Sequence, residues 1–165
     1  MPGGAPSLTP TEAHIVYEQA AEQYIKWHPE ATRPPREPVI GFGTEEEICI
    51  AADVAPEEAK TAHCAIAITG GEYALYPITV KGVSVDSMFD ETWDYKAPLG
   101  QSIVFHEFWH YMQFWNKGPI KDSPTLECYE HEAYEAQAVY LRAHHHEEVM
   151  RQIMLIAARH PCQQP

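Results

Sequence analysis

Residues 103–115 (IVFHEFWHYMQFW) constrain the chain more than any other stretch. Ile103, Val104, Phe105, Phe108, Trp109, Tyr111, Met112, Phe114 and Trp115 place apolar groups on every side of a helix, and a helix with that profile is buried. The same stretch carries His106, Glu107 and His110. Residues four apart lie one above the other on one helix face, so the two imidazoles can converge on a single cation. Glu107, beside the first histidine, can reach water held by that cation. Burying His-Glu-His with no metal would be costly. The rest of the chain must supply what completes the group.

One domain is expected over residues 1–165, a length that buries roughly two-thirds or more of the unfolded surface. Hydrophobic residues at 45% and aromatics at 11% suit a packed core. A formal net charge of −13 disfavours nucleic acid and anionic membranes, because phosphate contacts need Lys and Arg. No apolar run has the roughly 18 residues of a membrane span, and residues 1–6 (MPGGAP) contain no hydrophobic signal core. A soluble domain without membrane insertion is expected, either cytoplasmic or the mature form of an exported protein. Four cysteines without a Cys-x-x-Cys pair allow three disulfide connectivities. Cys49–Cys64 and Cys128–Cys162 close modest loops, and four reduced, buried thiols are an equal alternative.

Thr9-Pro10-Thr11-Glu12 is a capping box with proline at the first helical position, and apolar residues at Ala13, Val16, Tyr17, Ala20, Tyr24 and Trp27 continue it as a helix. Pro29 ends that helix, and residues 29–38 (PEATRPPREP) form a proline-rich connector. A short strand at 38–42, a short helix at 44–52 and a turn at 55–58 follow. Residues 64–69 and 73–80 flank Gly70-Gly71 as a β-hairpin, with a third short strand at 83–86. Pro77 cannot donate to a ladder, which puts its strand at an edge. The buried helix runs from about Pro98 to about Asn116, Ser123-Pro124 opens the next, and residues 147–159 form a last amphipathic helix after His144-His145-His146. Helix, small sheet, then helices describe an α+β domain.

Catalytic zinc usually has three protein ligands and one open position. The helix after the histidines offers Glu127, Glu130, Glu132 and Glu135, with His131 as a further donor. A di-iron bundle is excluded, because it needs two Glu-x-x-His motifs and only Glu107-x-x-His110 is present. The extended pattern with a third histidine six residues past the pair would need it at Asn116. Three consecutive histidines at 144–146 point in different directions and read as a solvated helix end.

His106-Glu107-Phe108-Trp109-His110, the zincin signature His-Glu-x-x-His, continues to Gln113 and is followed by Glu130-His131-Glu132-Ala133-Tyr134. This pattern resembles the gluzincin class of zinc metallopeptidases, in which Glu-x-x-Ala or Glu-x-x-x-Asp on the following helix completes the signature. It is closest to minimal gluzincins and small secreted domains of that type, and it covers roughly residues 98–141, the expected metal-binding helix pair. The resemblance implies His106, His110 and Glu130 as Zn²⁺ ligands and Glu107 as general base. Tyr134 stands where many gluzincins have an aspartate that orients a ligand histidine, so the group that orients the histidines is not identified. Tyr134 and Tyr111 could donate to an oxyanion.

The expected protein is a zincin-like α+β domain: a small, mostly antiparallel sheet with an edge strand packed on the buried helix, followed by the ligand-bearing helix. The expected activity is zinc-dependent hydrolysis of a peptide or protein substrate, with an extended peptide pairing along the Pro77 strand or residues 83–86. The alternative is a zinc-binding or interaction domain with a degenerate, non-catalytic site.

Overall fold

The structure is a computed structural model and describes residues 8–40, 50, 55–60, 67–70, 74–77 and 98–163. Its body is four long helices, α1 (Pro10–Trp27), α3 (Pro98–Lys117), α4 (Ser123–Ala143) and α5 (Glu147–Ala158), with a single turn α2 (Pro56–Ala59). Each starts where local chemistry allows it. At α1, the Thr9 hydroxyl accepts from the Glu12 backbone N–H (3.1 Å) while the Glu12 carboxylate accepts from the Thr9 N–H (3.0 Å), which satisfies two otherwise orphaned donors. Helix α4 is capped by Asp122, whose carboxylate accepts from the Thr125 N–H (2.8 Å) ahead of Pro124 in the first turn. Gly118, at φ +90°, ends α3, and an L side chain there would be strained.

Helix α3 is the centre of the molecule. Thirteen of its residues are buried, including the run from Ser102 to Gln113. Helix α1 covers one side, with Val16, Tyr17, Ala20, Ala21 and Tyr24 packing into the same cluster as Phe105, Phe108, Trp109 and Met112. Tyr17 meets Phe108 edge-on at 5.6 Å and Tyr24 meets Trp109 at 4.9 Å. Helix α4 runs antiparallel along another side, with Tyr140 bonded to Gln101 near one end and Tyr129 to Gly118 at the other. Helix α5 folds back on α4 through Ile153, Val149, Met150 and Ile156 against Ala138 and Leu141.

The α+β expectation is overturned. The described residues are mostly helix, and helix-on-helix packing rather than a sheet layer sets the fold. Among the described residues, strand pairing is limited to β1 (Val39–Ile40), β2 (Ala67–Gly70) and β3 (Ala74–Pro77), in the order β1-β3-β2. One of the two pairings, Val39 opposite Ala74, is parallel; the other sets Ala67 opposite Pro77 and is antiparallel. The segment with Pro77 is therefore in the middle rather than at an edge. Proline is tolerated because it is the last residue of β3, beyond Ala74 and Leu75, which pair with β1. The physical reason for the correction lies in α3. An all-round apolar helix needs cover, and α1 and α4 supply most of it, with only the short β2 and β3 also against α3.

The connector at 29–38 is tied onto α3. Thr32 exchanges two bonds with the Asn116 amide (2.9 and 3.0 Å), Trp115 Nε1 donates to the Thr32 hydroxyl (3.1 Å), and the Tyr111 hydroxyl donates to the Arg36 carbonyl. A disulfide joins Cys128 on α4 to Cys162 beyond α5, one of the two expected pairings. Cys49 and Cys64, the strand at 83–86 and, except for the helical Ile50, the helix at 44–52 lie outside the described residues.

Candidate metal centre

Helical periodicity sets the site before any tertiary contact forms. Ser102, His106, His110 and Gln113 recur at four, four and three residues, so they form one stripe along α3. On α4, Glu130, Ala133, Tyr134 and Gln137 form a second stripe. The antiparallel packing of the two helices sets the stripes face to face. Ala133 is fully buried between Glu130 and Gln137, and its small side chain lets the backbones approach.

Three electron-pair donors converge there. One oxygen of Glu130, Oε1, lies 3.2 Å from His106 Nε2 and in hydrogen-bonding contact with His110 Nε2. The two imidazole centroids are 4.7 Å apart, and the three ligand atoms lie within 4.8 Å of one another. Both histidines are buried, while a fifth of the Glu130 side chain is exposed. Such a group could hold a metal.

The far side of each ring decides its chemistry. His106 Nδ1 lies 3.0 Å from Gln137 Oε1, and His110 Nδ1 lies 2.7 Å from Gln113 Oε1. Neither amide can turn round. Gln137 Nε2 donates to the Ser102 hydroxyl (3.0 Å), which donates onward to the Leu99 carbonyl (2.6 Å). Gln113 Nε2 donates to the Tyr129 carbonyl (3.1 Å) and to Glu132 Oε1 (3.2 Å). With their nitrogens so used, both glutamines present only an acceptor oxygen to the rings. Each Nδ1 must therefore carry the proton, and a neutral ring aims the Nε2 lone pair at the Glu130 carboxylate. Lone pairs facing a carboxylate repel unless a positive charge lies between them. In the metal-free chain a proton on His110 fills that role: burial works against its charge, but the bonded Glu130 carboxylate and then Glu107 outweigh burial and hold its pKa up at about 9. Burial would raise the Glu130 carboxyl, but the two histidines hold it well below the usual carboxylate range.

Glu107 is buried beside this centre without joining the convergence, its Oε2 3.8 Å from His106 Nε2. The Tyr134 ring packs on His106, with centroids 4.4 Å apart. Burial, followed by the negative charges of Glu130 and Glu107, pushes its phenol pKa up, so it stays a protonated donor.

Four expected site residues, His106, Glu107, His110 and Glu130, are thus together, with Tyr134 against them. The other candidate ligands are committed elsewhere. Glu127 bonds His160 (2.9 Å), Glu135 bonds His131 (3.0 Å), and His131 Nδ1 also bonds the Ala157 carbonyl (2.9 Å). Tyr111 is spent on the connector, and Asn116, where the extended pattern would need histidine, clamps Thr32. His144 stacks on Tyr140 and caps α4, His145 takes a left-handed φ of 63°, and His146 starts α5, so the triple histidine is a helix junction. A second group, His14, Glu18 and Glu37, is more exposed, and Arg33 bonds both Glu18 oxygens (2.8 Å).

Sequence reasoning missed Gln137 and Ser102, offered Glu132 only as a possible metal ligand, and assigned Gln113 no role. The signal was spacing: Gln113 follows His110 by three and Gln137 follows Glu130 by seven, both on the ligand stripes. A carboxylate was expected to orient the histidines, and amide oxygens stand there instead. Comparison of the chain with protein-family models, with curated proteins and with solved structures finds no match.

Proposed function

We propose that this chain is a small zinc-dependent hydrolase of peptide bonds, with His106, His110 and Glu130 as metal ligands and Glu107 as general base. The observation that carries the reading is the convergence of two imidazole Nε2 atoms and one carboxylate oxygen, each ring turned by an acceptor at Nδ1 so that its lone pair faces inward. Two nitrogens and one oxygen suit zinc, and three protein ligands leave a fourth position. Bound zinc supplies Lewis acidity, polarising a carbonyl and making water acidic enough to lose a proton near neutral pH. Glu107, outside the ligand set yet next to it, accepts that proton and returns it to the leaving amine. The Tyr134 hydroxyl, protonated at all working pH values, donates to the oxygen on which charge develops. The peptide substrate rests on the resemblance of His-Glu-x-x-His with Glu130-x-x-Ala133 to gluzincins. The sheet edge once expected to hold the peptide forms no part of the proposal.

The burial of Glu107 favours a second reading, a zinc-binding domain without turnover, because general-base work needs access to water. The discriminating experiment uses the full chain, zinc analysis and a generic peptide library. Glu107→Gln is expected to keep one zinc per chain and to lose about 10²–10⁴-fold in hydrolysis. Wild-type rates in that variant would sink the catalytic role. Zinc uptake with no cleavage by the wild-type chain would leave the non-catalytic reading standing.

A further inference from the structure

We infer that Glu132 is a positioning residue for the metal centre, acting through the Gln113 amide on His110; the inference rests on the zinc reading above. Glu132 lies two residues past Glu130 on α4, so its side chain leaves the helix on a different face. Four donors meet it there. Trp109 Nε1 (2.9 Å) and Gln113 Nε2 (3.2 Å) share Oε1, while His28 Nε2 (3.0 Å) and Lys117 Nζ (3.7 Å) approach Oε2. Helix α3, helix α4 and His28, the residue that caps the end of α1, all meet at this one carboxylate.

The path to the metal centre is continuous. His110 Nδ1–H donates to Gln113 Oε1 (2.7 Å), and Gln113 Nε2–H donates to Glu132 Oε1 (3.2 Å). Metal-bound histidines commonly donate their second N–H to a carboxylate, which fixes the ring and raises its basicity. Here the carboxylate is reached at one remove. An amide accepting at oxygen and donating at nitrogen is polarised in the direction that makes its oxygen a better acceptor. Gln113 is fully buried and has its third bond on the Tyr129 carbonyl, so the relay holds a single orientation. His106 differs: its glutamine ends on the Ser102 hydroxyl, a neutral group. The charge behind the centre therefore enters from one side, through His110.

The test measures zinc affinity of the full-length chain by competition with a chromophoric chelator, alongside thermal melting of the metal-free protein. Glu132→Gln can keep an acceptor oxygen for Trp109 and Gln113, while it removes the charge and the Oε2 acceptor that faces His28 and Lys117. It is expected to weaken zinc about 10-fold, and Gln113→Leu about 10–100-fold. Folded single variants that hold zinc within about twofold of wild type overturn the relay, since losing such a partner typically costs ten-fold or more. So does a loss that merely follows the melting temperature. A wild-type chain that takes up no zinc overturns the metal reading itself and the relay with it.

Discussion

At the residue scale, a proton on His110 holds the space beside Glu130 where the proposed metal would sit. His110 has a folded pKa raised from 6.5 to about 9 in the metal-free chain. A raised pKa contributes stability that is complete below the unfolded value and is lost as pH climbs through the folded one. Glu130 has a depressed pKa, so its contribution is present above the unfolded value of 4.5 and is lost as pH falls through the depressed value. The pair stabilises the metal-free protein most between these two unfolded values. On the proposed zinc reading, the metal would displace the His110 proton, so zinc affinity should climb as pH rises from about 6 to about 9, with proton release on binding. Chelator competition across that range checks this, and a flat profile would contradict the bridging proton. Another residue makes a simpler case. The Tyr24 hydroxyl is buried and has no hydrogen-bond partner among the described residues. Tyr24→Phe removes an unsatisfied group while keeping the ring against Trp109, so chemical denaturation should show it neutral or stabilising by about 1 kcal/mol.

At the element scale, the pairing of α3 with α4 is what turns a signature into a site. Ala133 sits at the contact, fully buried between Glu130 and Gln137. Ala133→Leu should overpack it, costing about 1–3 kcal/mol in thermal unfolding and lowering zinc affinity by pushing Glu130 away from the histidines. The helices were legible in the sequence because their ends are written locally: Thr9 with Glu12, Pro98, Pro124, Gly118 and the histidine junction all act within a turn of their position. The histidine pair was legible for the same reason, since i, i+4 spacing is a property of one helix. Glu130 came from the resemblance and from the short loop that folds α4 back beside α3. The sheet was over-read because alternation over four to six residues specifies a local pairing and says nothing about which layer covers α3. The orienting groups were hidden because glutamine is neutral and common on helices. Only the depth of Gln113 and Gln137 marks them, and depth is a tertiary property.

At the scale of the whole molecule, the helices are joined by two kinds of tie. One is the apolar face of α1 laid across α3, continued by the connector that Asn116, Trp115 and Tyr111 hold down. The other is covalent: Cys128–Cys162 spans 34 residues and fastens the chain beyond α5 to the start of α4. On the chain-entropy account, opening a loop of that length costs about 3–4 kcal/mol. Cys128→Ser with Cys162→Ser should therefore lower the denaturation midpoint clearly, yet leave zinc uptake by the folded protein intact, because no ligand or clamp lies beyond α5. Loss of zinc in a folded double variant would show that the tail supports the centre. No helix among the described residues is long and apolar enough to cross a membrane.

The stripes described along α3 and α4 also bear on how the protein reaches its structure. Every ligand and both glutamine clamps fall within one helical hairpin, and the longest bond of the centre, Gln137 to Ser102, joins residues only 35 apart. Closing such a loop costs little chain entropy, and low contact order favours fast assembly. The hairpin can form its binding geometry before the proline-rich connector swings α1 into place. The half of the molecule that carries the candidate site would then be a folding nucleus as well, with the N-terminal helix arriving as its cover.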